Sequence, residues 1–359
     1  MNLEELAIIV CGSLTSVTRE DKYDARSKGV FQVKKKILCL DGGGIKGVFV
    51  ATILKVLEEG LPRADVGIGN YFDMIVGTST GGIIAAGLSL HIPAEKICNL
   101  YIENATRIFP QDKKCFRFLK RIAGAKYQSD VLKNILEETF GSKTIGECQT
   151  RLLIPSYNLT TNSVQIFKTP HATDLQIDYK RKIVDVLLAT TAAPTYFPPH
   201  NNTSGVYVDG GIGANNPSFI ALVEALSDRC GWAIDDIYLL SIGCTESLSS
   251  FARGTETMGA SDVVKLISAF MNAESQYSDN IAKILLGQGH YMRINYLDYA
   301  GRAGLDRVNK DALDFLQQMG QNAAQRYIAD IQEMFLDQET EKYTPFYTGV
   351  NSTNKGAEL

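Results

Sequence analysis

The sequence predicts an α/β fold, a largely parallel central sheet covered by helices on both faces, with further helices towards the C-terminus. Three observations lead there. Short apolar runs of strand length alternate with longer stretches of helical periodicity. Two of these runs end in glycine-rich turns that pass directly into a helix, at Asp41 to Gly47 and at Gly77 to Gly81. No internal repeat or low-complexity linker breaks the order, which favours a single domain.

Residues 1–35 carry no clear pattern, and Thr15 to Lys28 is polar, charged and loop-like. The first strand is Lys36 to Leu40, and a helix follows from Val48 to Glu59 with Val50, Ile53, Leu54 and Leu57 on one face. A second strand runs from Tyr71 to Val76. Helices are expected from Gly82, from Pro93 to Asn104, and from Ser129 to Phe140 with Ser129 as cap. Strands at Arg151 to Ile154 and Ser163 to Phe167 precede a helix at Ile183 to Ala189. A short strand, Gly205 to Val208, ends in Asp209, and a helix from Pro217 to Cys230 leads to the strand Ile237 to Ile242. Long helices over 261–286 and 310–336 flank a strand at Tyr291 to Tyr296, and the last twenty residues read as frayed.

Apolar residues make up 45% of the chain and charged residues 21%, which is ordinary for a globular protein. A net charge of −4 gives no global attraction to a nucleic acid polymer. The cysteines, at 11, 39, 98, 115, 148, 230 and 244, form no C-x-x-C pair and are odd in number. They read as small buried hydrophobes in a reducing compartment. Leu6 to Val10 is too short to span a membrane and lacks the basic start of a signal peptide. The expected location is therefore cytoplasmic, with any membrane contact peripheral, at the inner membrane.

Ser79 lies at the centre of Gly77-Thr78-Ser79-Thr80-Gly81, between an apolar strand and an apolar helix. This is the G-x-S-x-G pattern in the context that makes it a nucleophile elbow. Flanking glycines let strand and helix approach, and the helix points its positive end at the serine. The turn Gly42-Gly43-Gly44-Ile45-Lys46-Gly47 also satisfies G-x-G-x-x-G. Dinucleotide binding, however, requires an acidic residue ending the next strand, and that strand ends in Gly77-Thr78-Ser79. Consecutive glycines with bare amides at a helix start fit an oxyanion hole better. Lys46 either adds positive charge there or is a solvated surface lysine.

A serine nucleophile needs a base. The chain has four histidines, at 91, 171, 200 and 290. Only His290 falls late enough in the chain for the serine–acid–histidine order of an α/β-hydrolase. Asp209 is the stronger candidate, because it ends a strand and precedes Gly210 and Gly211. Burial would raise its basicity from that of an ordinary aspartate.

Asp41 to Gly47, Gly77 to Gly81 and Asp209 to Gly211, in that order, resemble the motifs of the patatin-like phospholipases. Ala192 to Pro198 and Gly213 to Pro217 resemble the family as well, and the match runs from about residue 36 to 245. One departure is Gly243-Cys244, where many relatives carry a second glycine. The resemblance implies a patatin-like three-layer α/β/α fold: an N-terminal extension over 1–35, a catalytic core over 36–250 and a mainly helical region over 251–359 packed on it. It implies a Ser–Asp dyad without histidine, with Ser79 as nucleophile, Asp209 as base and amides of Gly42, Gly43 and Gly44 as oxyanion hole. The implied reaction is hydrolysis of fatty-acyl esters of phospholipids through an acyl-enzyme, with no cofactor or metal for catalysis. Length and sequence style resemble the bacterial effectors of this family that cyclic dinucleotides switch on in anti-phage defence. The partners so implied are a phospholipid membrane surface, a cyclic dinucleotide activator and other copies of the chain as a homo-oligomer. Alternatives are a His-dependent esterase using His290 and a non-catalytic lipid- or nucleotide-binding protein on the same fold.

A membrane contact is expected at residues 107–126. Arg107, Lys113, Lys114, Arg117, Lys120, Arg121 and Lys126 are interleaved there with Phe109, Phe116, Phe118, Leu119 and Ile122. A solvated helix with an ordinary core stripe is the competing reading.

Overall fold

The computed structural model describes residues 34–111, 124–247 and 263–348. Most of the basic, aromatic segment expected at the membrane thus lies outside the described residues, as does most of the N-terminal extension.

Strand β1 (Lys35–Leu40) runs through the turn into helix α1 (Gly47–Glu59), and β2 (Met74–Gly77) runs into α2 (Thr80–Ser89). Helices α3 (Ala94–Ile108) and α4 (Ser129–Phe140) follow, then the hairpin β3 (Arg151–Asn158) and β4 (Ser163–Lys168). Helix α5 (Ile183–Thr190) leads to a second hairpin, β5 (His200–Asn202) and β6 (Gly205–Asp209), and to the short helix α6 (Gly211–Ala214). The remainder comprises α7 (Ser218–Leu226), β7 (Ile237–Ile242), β8 (Glu246–Ser247), α8 (Val263–Leu286), β9 (Tyr291–Ile294), β10 (Leu297–Asp298) and α9 (Lys310–Met334).

The main sheet has the order β5-β6-β3-β2-β1-β7-β9, with β4 on β3. The five strands from β3 to β9 are parallel, whereas the two hairpins add antiparallel neighbours at one end. One face of the sheet buries Leu38, Leu40 and Ile75 under α1, α2, α3 and the C-terminal α9. The other buries Ile37, Cys39, Met74 and Val76 under Ala221 and Leu222 of α7 and Ala282 of α8. Alternate residues of β1 therefore face opposite layers, as pleating requires. This is the three-layer α/β/α arrangement.

The geometry that positions the site is decided at Pro155. Strand β2 pairs with β3 as far as Leu153. Strand β6 pairs with β3 from Ser156, where Asp209 is the partner. Because β4 occupies the opposite edge of β3 from Leu153 to Asn158, β2 and β6 must share one edge in succession. Pro155 has no N–H to offer and sits at the changeover. The C-terminal ends of β2 and β6 consequently meet.

The N-cap of α4 is the extended Gln128, and no side chain caps the helix, so Ser129 is its first residue rather than its cap. Helix α3 continues to Ile108, four residues beyond the expected Asn104. The described cysteines carry no disulfide; Cys39, Cys98, Cys148 and Cys244 are buried and Cys230 is half-buried.

Candidate active site

Ser79 takes φ 54° and ψ −120° between β2 and α2. That conformation costs a non-glycine residue about 1–3 kcal/mol and is retained where the surroundings over-determine it. The surroundings here are specific. A Cβ at Gly77 would strike the carbonyl of Gly81, and one at Gly81 would strike the carbonyl of Leu40. Both flanking positions must therefore be glycine for strand, turn and helix to close. The Ser79 N–H donates to Thr190 Oγ1 (3.0 Å), whose own hydroxyl donates to the Pro155 carbonyl (2.6 Å). The strained turn is thus tied to the changeover on β3 through one threonine.

Asp209 comes from β6. Its N–H donates to the Ala192 carbonyl (3.0 Å), and the next amide, Gly210, donates to Thr190 (3.2 Å). The Gly211 N–H donates to Oδ1 (2.8 Å), which leaves Oδ2 to accept the Ser79 hydroxyl at 2.6 Å. Both side chains are buried, Ser79 at 7% and Asp209 at 3% exposure. Burial pushes the Asp209 carboxyl up from 3.8 to about 6, against the opposing effect of the Ser79 and Gly211 hydrogen bonds.

The glycine turn lies alongside. Asp41, which precedes it, is held by Arg293 of β9 through two contacts, Nη1 to Oδ1 (3.2 Å) and Nη2 to Oδ2 (2.6 Å). Arg293 also donates to Ser241 Oγ of β7 (2.6 Å), so one buried guanidinium joins three strand ends. Gly42 leaves the set of free amides expected from sequence, because its N–H donates to the Asn215 carbonyl (3.2 Å). The Gly43 and Gly44 amides have no hydrogen-bond partner among the described residues, and both residues line the same cleft as Ser79 and Asp209. Gly44 has φ +58°, and a Cβ there would meet the Leu305 carbonyl. A Cβ on Gly43 would collide with Cys244. Cys244 is thus the wall behind the turn. Lys46 is half-buried and does not line the cleft: its Nζ donates to the Thr245 carbonyl (2.6 Å), and desolvation lowers its pKa.

The cleft is largely apolar. Ile83, Leu100, Ile108, Phe109 and Leu132 line one part, and Ile267 and Met271 of α8 another. Phe109, expected from sequence at a membrane contact, is instead buried in this wall. Lys126, from the same stretch, pairs with Asp306, which also accepts the Tyr127 hydroxyl (2.6 Å).

His290 does not approach the serine. It precedes β9, at the end of the sheet opposite Ser79, where its Nδ1 donates to the Ile237 carbonyl (3.1 Å) and its ring stacks on Tyr238. His200 contacts Asp185 (2.7 Å), and His171 contacts Glu224 (2.9 Å). His91 lies just beyond α2 in a left-handed conformation, its pKa lowered by burial.

Several site residues escaped sequence reading. Thr190 carries the Ser79 amide, and its only sequence signal is its place just before the Ala192 to Pro198 segment. The Thr80 amide has no hydrogen-bond partner among the described residues, and as the residue after the serine it opens α2 toward the cleft. Arg293 lies in a part of the chain where no motif pointed to it.

Residues 38–222 match the family described as patatin-like phospholipase. The chain belongs to the patatin-like phospholipase family. It is accordingly a carboxylic ester hydrolase by class. A protein of Pseudomonas aeruginosa named cGAMP-activated phospholipase is 35% identical over 311 residues, covering 82% of this chain and 89% of the relative. Proteins of the same name from Escherichia coli and Vibrio cholerae are 38% and 37% identical, covering 58% of this chain and 61% and 63% of their own lengths.

Proposed function

We propose that this chain is a serine lipid acyl hydrolase of phospholipase A type, cleaving fatty-acyl esters of membrane phospholipids with Ser79 and Asp209. The observation that carries this reading is the 2.6 Å hydrogen bond from Ser79 to a buried Asp209 at an apolar cleft. Ser79 Oγ attacks the ester carbonyl carbon as its proton passes to Asp209 Oδ2. The developing oxyanion is met by the Gly43 and Gly44 amides of the turn before α1 and by the Thr80 amide at the start of α2. Collapse breaks the ester C–O bond, and the departing lysolipid oxygen takes the proton from Asp209. Water then attacks the acyl-serine with Asp209 as base, releasing fatty acid and restoring Ser79. The apolar cleft suits an acyl chain. An aspartate raised to about 6 is mostly ionised at neutral pH and is a better proton acceptor than an ordinary one.

The name shared by the three relatives supports activation by a cyclic dinucleotide, cGAMP, and we propose that this switch serves bacterial antiviral defence. We assign no residues to that ligand. Among the described residues no helix is long and apolar enough to cross a membrane. The proposed place of action is peripheral, at the inner membrane, where the phospholipid substrate lies. Fatty-acid release from phospholipid vesicles, with and without cGAMP, tests both parts. Ser79→Ala should abolish release and Asp209→Asn should lower it by about 10² to 10⁴, with the fold kept in both. A fluorophosphonate should label Ser79 in the unmodified protein. Undiminished release by Ser79→Ala would end the proposal.

A further inference from the structure

The outer layer formed by α7 and α8 leaves an apolar surface uncovered. On α7, Phe219, Val223 and Leu226 are exposed by 43%, 52% and 40%, although the helix buries Ala221, Leu222 and Ala225 against the sheet. On α8, Phe270, Tyr277 and Ile284 are exposed by 62%, 72% and 80%. They recur every seven residues and so follow one face of the helix. The two helices pack on each other, so these exposed residues lie on adjoining elements of one layer.

The exposed charge on α8 is one-sided. From Lys265 to Leu285 the exposed positions of α8 include lysines 265 and 283 and no carboxylate. The acids of this stretch are turned inward. Glu274 accepts the Asn216 N–H (2.9 Å) and the Ser278 hydroxyl (2.6 Å). Asp279 accepts hydrogen bonds from the Tyr291 hydroxyl (2.8 Å) and the Lys283 ammonium (2.5 Å). An apolar helix face edged by lysine and cleared of acid complements an anionic lipid surface.

The surface is also continuous with the cleft. Ile267 and Met271, a turn or less from Phe270, line the cleft beside Ile212, itself exposed by 39%. Met271 packs against Gly211, whose amide holds Asp209.

We propose that the outer face of α7 and α8 is the surface on which this chain rests on an anionic phospholipid bilayer, bringing the cleft mouth to the lipid. This rests on the phospholipid reading of the site. The test is the double variant Tyr277→Glu/Ile284→Glu, at two highly exposed positions outside the cleft, compared with the unmodified chain in the presence of cGAMP. Binding to vesicles of equal parts phosphatidylcholine and phosphatidylglycerol is measured by co-sedimentation. Hydrolysis is measured on those vesicles and on a soluble short-chain ester, and mass in solution by light scattering. The expected result is about a hundredfold loss of vesicle binding and a matching loss of vesicle hydrolysis, with short-chain ester turnover unchanged. Unaltered vesicle binding overturns the proposal. So does a fall in oligomeric mass with vesicle binding intact, which would assign the face to contact between copies of the chain. If the unmodified chain binds these vesicles through this face and cleaves the soluble ester but no phospholipid, the substrate reading fails and the docking face stands.

Discussion

Replacing Asp209 by Asn should make the protein more stable and inactive, and the gain should depend on pH in a calculable way. Asn preserves the shape: its Oδ1 can accept the Gly211 amide and its amide nitrogen can face Ser79. It cannot take the hydroxyl proton, so fatty-acid release should fall by about 10² to 10⁴. The stability effect follows from burial. The Asp209 carboxyl titrates at about 6 in the folded chain against an ordinary 3.8. Between those values the folded state holds a proton that the unfolded state has released, so folding of the unmodified chain weakens as pH rises through this window. From 3.8 to about 6, at about 1.4 kcal/mol for each tenfold change in proton affinity, the loss amounts to about 3 kcal/mol. Asp209→Asn does not titrate and escapes it. Thermal unfolding of both proteins from about pH 4 to pH 8 should therefore show the variant drawing ahead as pH rises, by on the order of 5 °C, and then holding a constant lead. Parallel curves across that range would refute the claim that a buried, ionised Asp209 is maintained at the expense of folding. The same group should set the acid limb of kcat/KM, with activity rising as pH passes about 6.

Other substitutions test the supports of the site. Gly43→Ala places a Cβ against Cys244 and should lower kcat about 10²- to 10³-fold by displacing the turn; adding Cys244→Gly should recover much of the loss, and no recovery would show that Cys244 is not the obstacle. Thr190→Val leaves the Ser79 amide and the Pro155 carbonyl without their partner, and should cost about 1–3 kcal/mol in stability, together with a fall in kcat that exceeds any change in KM. Arg293→Met strands Asp41 as an unpaired buried carboxylate and should cost about 3–5 kcal/mol; Asp41→Asn in the same chain should return part of it, measurable as a positive coupling in urea unfolding.

The elements that were legible in the sequence are those whose cause is local. The turn at Ser79 could be read because an apolar strand, two obligatory glycines and an apolar helix are contiguous. Asp209 could be read because it ends a strand and two glycines follow it. The alternation of strands and helices was legible for the same reason, since periodicity is a property of short windows. Where the chain had to be judged on composition, as at Phe109 and Lys126, the structure assigns other duties: a cleft wall and an ion pair with Asp306.

The sequence by itself determined the residue types and their local presentation: a serine forced into a tight turn, an aspartate at a strand end, bare amides in a glycine run. Only the tertiary structure decided which of these meet. Ser79 and Asp209, 130 residues apart, come within 2.6 Å because β6 takes over the edge of β3 that β2 gives up. Gly42 loses its amide to Asn215, while Thr190 and Arg293 enter as supports. Hydrogen-bond partners and burial depend on strand register and on packing between distant segments, and neither is written in any short stretch of the chain.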